Sequence, residues 1–227
     1  MKKKIIIKDA FIMAAGRGVR LRPLTFKIPK GMVKYKQNTL ISNGIKKLKK
    51  QIKNVHVSVG YKGPILAKHV IENKVSSIVN TEGKGNCWWI YNSMFKFLNR
   101  PMFVLTCDNI TNINFKKIEN DYINLNSPAC MLVPVSPVEG LDGDYIFYKK
   151  NIVQKLSRKK KSDIYCSGIQ ILNPMKLNKI TKPCEDFNML WNQLIKTKKL
   201  YVSNCTPIKW FTVDKINDLK RLRRLKN

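Results

Sequence analysis

Basic side chains crowd one short stretch of this chain. Arg17, Arg20, Arg22, Lys27 and Lys30 all fall within FIMAAGRGVRLRPLTFKIPKGMVKY, residues Phe11 to Tyr35. The stretch begins as an apolar strand, Ala10 to Met13, and turns sharply through Ala14, Ala15, Gly16, Arg17 and Gly18. Small residues in such a turn let backbone N–H groups come close to a bulky anion. Fixed guanidinium and ammonium groups directly behind it suit a polyphosphate. The turn is not a P-loop, because G-x-x-x-x-G-K-[ST] is absent. It is not the dinucleotide fingerprint either, since Leu21 stands where the third glycine belongs. The plainer alternative is a glycine-rich βα turn with a solvated basic face.

The run resembles the signature of the sugar-1-phosphate nucleotidyltransferases, L-A-A-G-x-G-x-R-L-x-P-L-T-x-x-x-P-K-x-M. Ala14, Ala15, Gly16, Gly18, Arg20, Leu21, Pro23, Leu24, Thr25, Pro29, Lys30 and Met32 match in register. Met13 replaces the usual leucine, and Gly31 stands where proline is common. The resemblance implies a Rossmann-like three-layer α/β domain with a mixed, mainly parallel central sheet, the GT-A-like nucleotidyltransferase fold, as one domain over residues 1–227. It implies that Ala14, Ala15, Gly16, Arg17 and Gly18 contact the nucleotide, with Gly85 in a second turn near the base. It also implies catalytic roles: Arg20 on the β- and γ-phosphates, and Lys30 neutralising phosphate at the reacting centre. Asp108, in Thr106-Cys107-Asp108-Asn109, and Asp214, after Trp210-Phe211-Thr212-Val213, correspond to the family's magnesium ligands, so the implied cofactor is Mg²⁺. Gly168, inside YCSGIQIL, corresponds to a glycine near the sugar. Trp191 and Trp210 are candidate substrate contacts.

Those residues need elements to hold them. Leu40 to Gln51 places Ile41, Ile45, Leu48 and then Ile52 at helical spacing. Val55 to Val59, Ser77 to Val79, Met102 to Leu105, Ala129 to Pro134 and Tyr165 to Leu172 read as strands. Tyr145 to Tyr148 and Ile152 to Leu156 form a hairpin. Helices are expected at Pro64 to Glu72, at about Cys87 to Leu98, at Glu185 to Lys196 and at about Ile216 to Leu225. Tyr201 to Val202 and Trp210 to Val213 are late strands, and Ile5 to Ile7 adds an edge strand or extends the first. Asp108 then ends a central strand, where open α/β sheets bind ligands. Asp214 is either a metal ligand, an N-cap of the last helix, or both. Two such carboxylates can share a cation only if their strands lie close. Trp88, Trp89 and Tyr91 are core or a stacking surface.

Composition bounds the rest. The 227 residues carry a net charge of +30, yet the lysines spread along the whole chain. A solvated surface accounts for that better than a nucleic-acid face, and it would draw in anionic substrates. Cys87, Cys107, Cys130, Cys166, Cys184 and Cys205 contain no C-x-x-C, so reduced cytoplasmic thiols are expected. No stretch is long enough to span a membrane. The expected partners are an NTP and a phosphorylated small molecule: a sugar 1-phosphate first, phosphocholine next, since Val153 to Lys161 lacks the Glu-Lys-Pro element of many sugar-specific members. A non-catalytic nucleotide-sugar sensor on the same fold is the alternative of another class, and an RNA-binding protein a third. The base and the oligomeric state are left open.

Overall fold

The computed structural model describes residues 7–141 and 143–224. Strand β1 (Asp9–Met13) runs into the glycine turn. A small hairpin of β2 (Lys34–Tyr35) and β3 (Asn38–Thr39) leads to helix α1 (Leu40–Lys49), whose Thr39 cap accepts a bond from the Ser42 N–H. Then come β4 (Asn54–Val59), α2 (Gly63–Glu72) with proline in its first turn, and β5 (Ser77–Asn80). Helix α3 (Trp88–Asn92) is shorter than the spacing predicts. Ser93 is extended, and its hydroxyl donates to the Trp89 carbonyl at 2.6 Å, so the chain continues only as a 3₁₀ turn, Met94–Phe97.

Next are β6 (Met102–Thr106), β7 (Asn109–Asn112), α4 (Phe115–Asn124) and β8 (Cys130–Val135). The hairpin β9 (Tyr145–Lys149) and β10 (Ile152–Ser157) turns through Lys150 and Asn151, both at positive φ. The chain ends with β11 (Tyr165–Leu172), α5 (Pro174–Ile180), α6 (Phe187–Lys196), β12 (Leu200–Val202), β13 (Lys209–Thr212) and α7 (Ile216–Arg224). Of the expected first strand Ile5 to Ile7, only Ile7 lies within the described residues, and Leu225 lies outside them.

Among the described residues the central sheet has nine strands in the order β5-β4-β1-β6-β11-β8-β12-β10-β9. β11 is antiparallel to β6 and β8, and β10 is antiparallel to β12 and β9. The remaining strands share one direction, so the sheet is mixed and mainly parallel. Alternate residues feed two layers, as a pleated strand requires. Ala10, Ile12, Phe103 and Leu105 meet α1, α2 and α4 on one face. Phe11, Met102 and Val104 meet α3, α5 and α6 on the other. Trp89 lies flat on Phe11, with ring centroids 3.8 Å apart, so it belongs to the core rather than to a ligand surface.

Two features outside the main sheet place the site. β7 pairs antiparallel with β13, with Asn109 opposite Thr212. A third apolar cluster joins Leu21, Val33, Tyr35 and Leu40 to Phe211, Val213, Leu219 and Leu222. That cluster seats the basic loop against the C-terminal elements.

Candidate active site

Three charged side chains from distant parts of the chain meet at the C-terminal ends of β1 and β6. The Lys30 ammonium donates to Asp108 Oδ2 and, at 2.7 Å, to Asp214 Oδ1. Arg20 Nη2 donates to the same Asp214 oxygen at 2.9 Å. The Lys30 side chain is 14% exposed and that of Asp108 10%, whereas Arg20 is 52% exposed and open to solvent. Burial by itself would lower the Lys30 pKa; the flanking carboxylates of Asp108 and Asp214 overcome it and hold the ammonium well above its ordinary range. For Asp108, burial favours the neutral acid, and the Lys30 ammonium reverses that, keeping the carboxylate below its usual range.

Local geometry explains each placement. Gly18 has φ +61°, and a Cβ there would lie 2.8 Å from Lys30 Cβ. The turn therefore needs glycine both for its left-handed backbone and for the lysine stem that crosses it. The Gly18 carbonyl accepts from Leu21 N–H at 2.9 Å and from the buried Thr25 hydroxyl at 2.8 Å, which folds the loop back on itself. Asp108 follows β6 and precedes β7, and Asp214 follows β13. Pairing of β7 with β13, with Val213 N–H donating to the Asp108 carbonyl at 3.3 Å, brings the carboxylates to one ammonium. Asp218 Oδ2 accepts the N–H groups of Asp214 and Lys215 at 3.0 and 2.7 Å. It reaches back from the first turn of α7 to the two residues before the helix and anchors their backbone. The Asp214 carboxylate is left pointing at Lys30 and Arg20.

Beside this charged centre lies a cavity of about 320 Å³, lined by Ala15, Gly16 and Arg17 from the first turn, Ser58 and Tyr61, and Thr81 to Asn86 from the second. The two glycine turns thus form opposite walls of one space. Ala14 N–H is held by Ser58 Oγ at 3.0 Å, and Ala15 packs on Gly60. Gly85 N–H is held by Glu185 Oε2 at 2.8 Å.

Polar atoms without partners mark where the site is unfinished. Asp108 Oδ1 and both polar atoms of the Asn109 amide are buried with no hydrogen-bond partner among the described residues. Leaving such groups unpaired costs about 1–3 kcal/mol each, so they favour a ligand that completes them. Asn109 Nδ2 lies beside Gly168, which has φ +75° and where an added Cβ would sit 3.3 Å from that nitrogen and 3.2 Å from Thr106 Oγ1. Asn109 thus lies between Asp108 and Gly168. Its one sequence signal is its place directly after Asp108. The holding of Gly85 by Glu185, a hundred residues on, has no local signal.

The two candidate tryptophans do not share a pocket. Trp191 Nε1 donates to Gln170 Oε1 at 3.1 Å and packs with the α6 layer. Trp210 Nε1 donates to the Ser167 carbonyl at 2.9 Å and packs with the α1 layer. They lie against opposite faces of the sheet. His56, bonded to Asp9 and Ser77, and His69, bonded to Thr39 and Ser42, sit in structural networks away from the charged centre.

The family model described as Nucleotidyl transferase matches residues 9–185, most of the chain and all of the first turn, Lys30 and Asp108. The chain belongs to the nucleotidyl transferase family. The catalytic subunit beta of mannose-1-phosphate guanylyltransferase from Drosophila melanogaster is 23% identical over 222 residues, covering 92% of this chain and 60% of that protein. More broadly, this nucleotidyl transferase chain spans from 28% to 62% of the length of curated relatives that it matches. Its fold is that of two solved structures. The inositol-1-phosphate CTP transferase of T. maritima superposes with a TM-score of 0.75 at 15% identity, covering 97% of this chain and 98% of the other. The CTP:phosphocholine cytidylyltransferase of Streptococcus pneumoniae gives a TM-score of 0.73 at 22% identity, covering 96% and 98%. Among the described residues, no helix is long and apolar enough to cross a membrane.

Proposed function

We propose that this chain transfers a nucleotidyl group from an NTP to a phosphorylated small molecule, with release of pyrophosphate. The observation that carries the reading is the Lys30 ammonium held between Asp108 and Asp214, next to a cavity walled by both glycine turns. The cavity takes the base and ribose, and the triphosphate runs past Gly18 towards Lys30. Arg20, largely exposed beside Asp214, grips the outer phosphates. Lys30 neutralises charge where the acceptor phosphate meets the α-phosphorus. The attacking phosphate is already mostly dianionic at neutral pH, its second pKa being about 6, so no general base is required. The two histidines, committed to structural bonds, accord with that.

Magnesium fits the same centre. Mg²⁺ is usually held by one or two carboxylates together with substrate phosphates. Asp108, with one oxygen unpartnered, and Asp214 supply such a pair. When bound, the ion would spread the negative charge of the phosphates. Asp108 and Asp214 would then share their charge with it, and Lys30 would turn to phosphate.

A sugar 1-phosphate is the acceptor this arrangement favours. A quaternary ammonium needs aromatic faces around one point. Here Trp89 is core, Tyr91 is buried and bonded to Thr181, and Trp191 and Trp210 lie on opposite sheet faces. The unpartnered Asn109 amide beside Gly168 instead suits hydroxyls. The mannose-1-phosphate relative supports the same class. The chain would act in the cytoplasm as one domain over residues 1–227, with cysteines that are all free in the structure.

The test is a pyrophosphate-release screen of the four NTPs against hexose 1-phosphates, inositol phosphate and phosphocholine. Turnover with a sugar phosphate is expected. Turnover with phosphocholine alone would reassign the acceptor. NTP binding without turnover on any acceptor would make the chain a sensor.

A further inference from the structure

Of the six cysteines, scattered without a motif, Cys87 and Cys184 come together at one place. Cys87 Sγ and Cys184 Sγ lie 3.6 Å apart, from positions 97 residues distant, and Cys87 Sγ also donates to the Cys184 carbonyl at 3.2 Å. Cys87 ends the second glycine turn, and Cys184 precedes Glu185 just ahead of α6. The two segments are already laced together. Gly85 N–H is held by Glu185 Oε2 at 2.8 Å, Cys87 N–H by the Glu185 carbonyl at 3.1 Å, and Phe187 N–H by Asn86 Oδ1 at 2.9 Å. A Cβ added at Gly85 would lie 1.9 Å from the Glu185 carbonyl oxygen, so the contact has no slack.

We propose that Cys87 and Cys184 form a redox modification site, a thiol pair that closes into a disulfide and thereby weakens nucleotide binding. The oxidant is a low-molecular-weight disulfide. Cys184, 9% exposed where Cys87 is fully buried, attacks it as thiolate and releases one small thiol. Cys87 then gives up its proton and attacks the Cys184 sulfur of the mixed disulfide. The Cys87–Cys184 bond forms and the second small thiol leaves. Two electrons and two protons have passed to the oxidant. Burial and the neighbouring Cys184 push the Cys87 thiol up, so the second step quickens with rising pH.

Closing the sulfurs to about 2.05 Å draws residue 87 towards residue 184. Gly85 cannot follow, because it already touches the Glu185 carbonyl. The turn must rotate, and with it the cavity wall formed by Lys84, Gly85 and Asn86. Sequence spacing does not reveal this pair; only the packing of α3 against the loop before α6 does.

The experiment is to equilibrate the whole protein with oxidised glutathione, alkylate the remaining thiols, and map tryptic peptides alongside NTP titration calorimetry. The expected result is a linked pair, Gly85–Lys96 with Ile180–Lys196, lighter by two hydrogens than the separate peptides. NTP Kd should rise several-fold, return with dithiothreitol, and stay level under oxidation in Cys184→Ala. Alkylated Cys87 and Cys184 with no linked pair at equilibrium would overturn the site. A linked pair with unchanged NTP Kd would overturn its coupling to the nucleotide turn. The coupling rests on the proposed nucleotide cavity, whereas the linked pair needs no nucleotide; reduced protein that binds no NTP would fail that reading and leave the disulfide to be judged by the peptides alone.

Discussion

Lys30 is fixed from three sides: by the Gly18 backbone beneath its stem and by Asp108 and Asp214 at its tip. Gly18→Ala would both strain a left-handed backbone and push the stem away. The expected outcome is a loss of about 1–2 kcal/mol in stability, with a larger loss in kcat/KM, read by thermal melts and steady-state kinetics. Wild-type kinetics in that variant would mean that the lysine's seat is unimportant. The ion pair also has a pH signature. Asp108 is depressed in the fold, so its stabilisation is present above its unfolded pKa of about 3.9 and lost as pH falls through the folded value. Lys30 is raised, so its contribution is complete below its unfolded pKa of about 10.4 and lost as pH rises through the folded value. The stability difference between wild type and Lys30→Met should therefore be largest from about pH 7 to 9 and shrink as pH falls, because the variant's buried Asp108, without the ammonium, takes up its proton above the ordinary carboxylate range. Denaturant melts across that range would check it; a difference that grows in acid would contradict the pairing. At this scale the sequence was informative where chemistry was local. The glycine turn, Arg20 and Lys30 could be read from one unbroken run, whereas Asn109 and Glu185 take their roles from neighbours distant in sequence.

Among the elements, the pairing of β7 with β13 does most to build the site. Neither strand belongs to the central sheet, yet together they deliver Asp108 and Asp214 to one point. Trp210 to Val213 was legible as a strand, but β7, reading Asn-Ile-Thr-Asn, was not. It is short, with Ile110 its one apolar residue, and its partner lies about a hundred residues away. Long-range pairing of that kind outweighs local propensity. Helix α4 was also not read, although Phe115, Ile118 and Tyr122 stand at helical spacing behind an Asn114 cap. The strands buried on both faces were plain from their apolar runs. Helix α3 was over-extended because Ser93, a weak breaker in sequence, closes on the Trp89 carbonyl in space. Element ends matter most at α7. Asp218 holds the two N–H groups at its start, and that frees Asp214 to face Lys30. Asp218→Ala should cost about 1 kcal/mol of stability, as loss of a cap does. It should lower kcat more than NTP affinity, because Asp214 loses its backbone anchor; restoration by Asp218→Asn would identify a positioning role, and unchanged kcat in Asp218→Ala would remove it.

At the scale of the whole molecule, a net charge of +30 surrounds a site that, on the proposed function, collects two anions. The field of so many lysines would raise the local concentration of such anions, and salt screens it over about 10 Å at 0.1 M. NTP kcat/KM should fall steadily as salt rises, with kcat nearly constant; a salt-independent kcat/KM would show that the surface charge plays no part in capture. The overall fold was the most legible level, because its family run fixed the architecture. The acceptor was the least legible, because the side of the sheet that an aromatic takes is set by packing: Trp89 lies in the core, and Trp191 and Trp210 lie against opposite faces.

On the proposed function, Asp108, Asp214 and Lys30 form one reacting centre for nucleotidyl transfer. The most direct measurement is pyrophosphate release by Asp108→Asn beside wild type, at saturating magnesium and with the best NTP and acceptor pair, with far-UV circular dichroism to establish that both are folded. A loss of at least about 3 kcal/mol of transition-state stabilisation, more than a hundredfold in rate, is predicted for the folded variant. Near-normal release of pyrophosphate by that variant would place the chemistry elsewhere in the molecule.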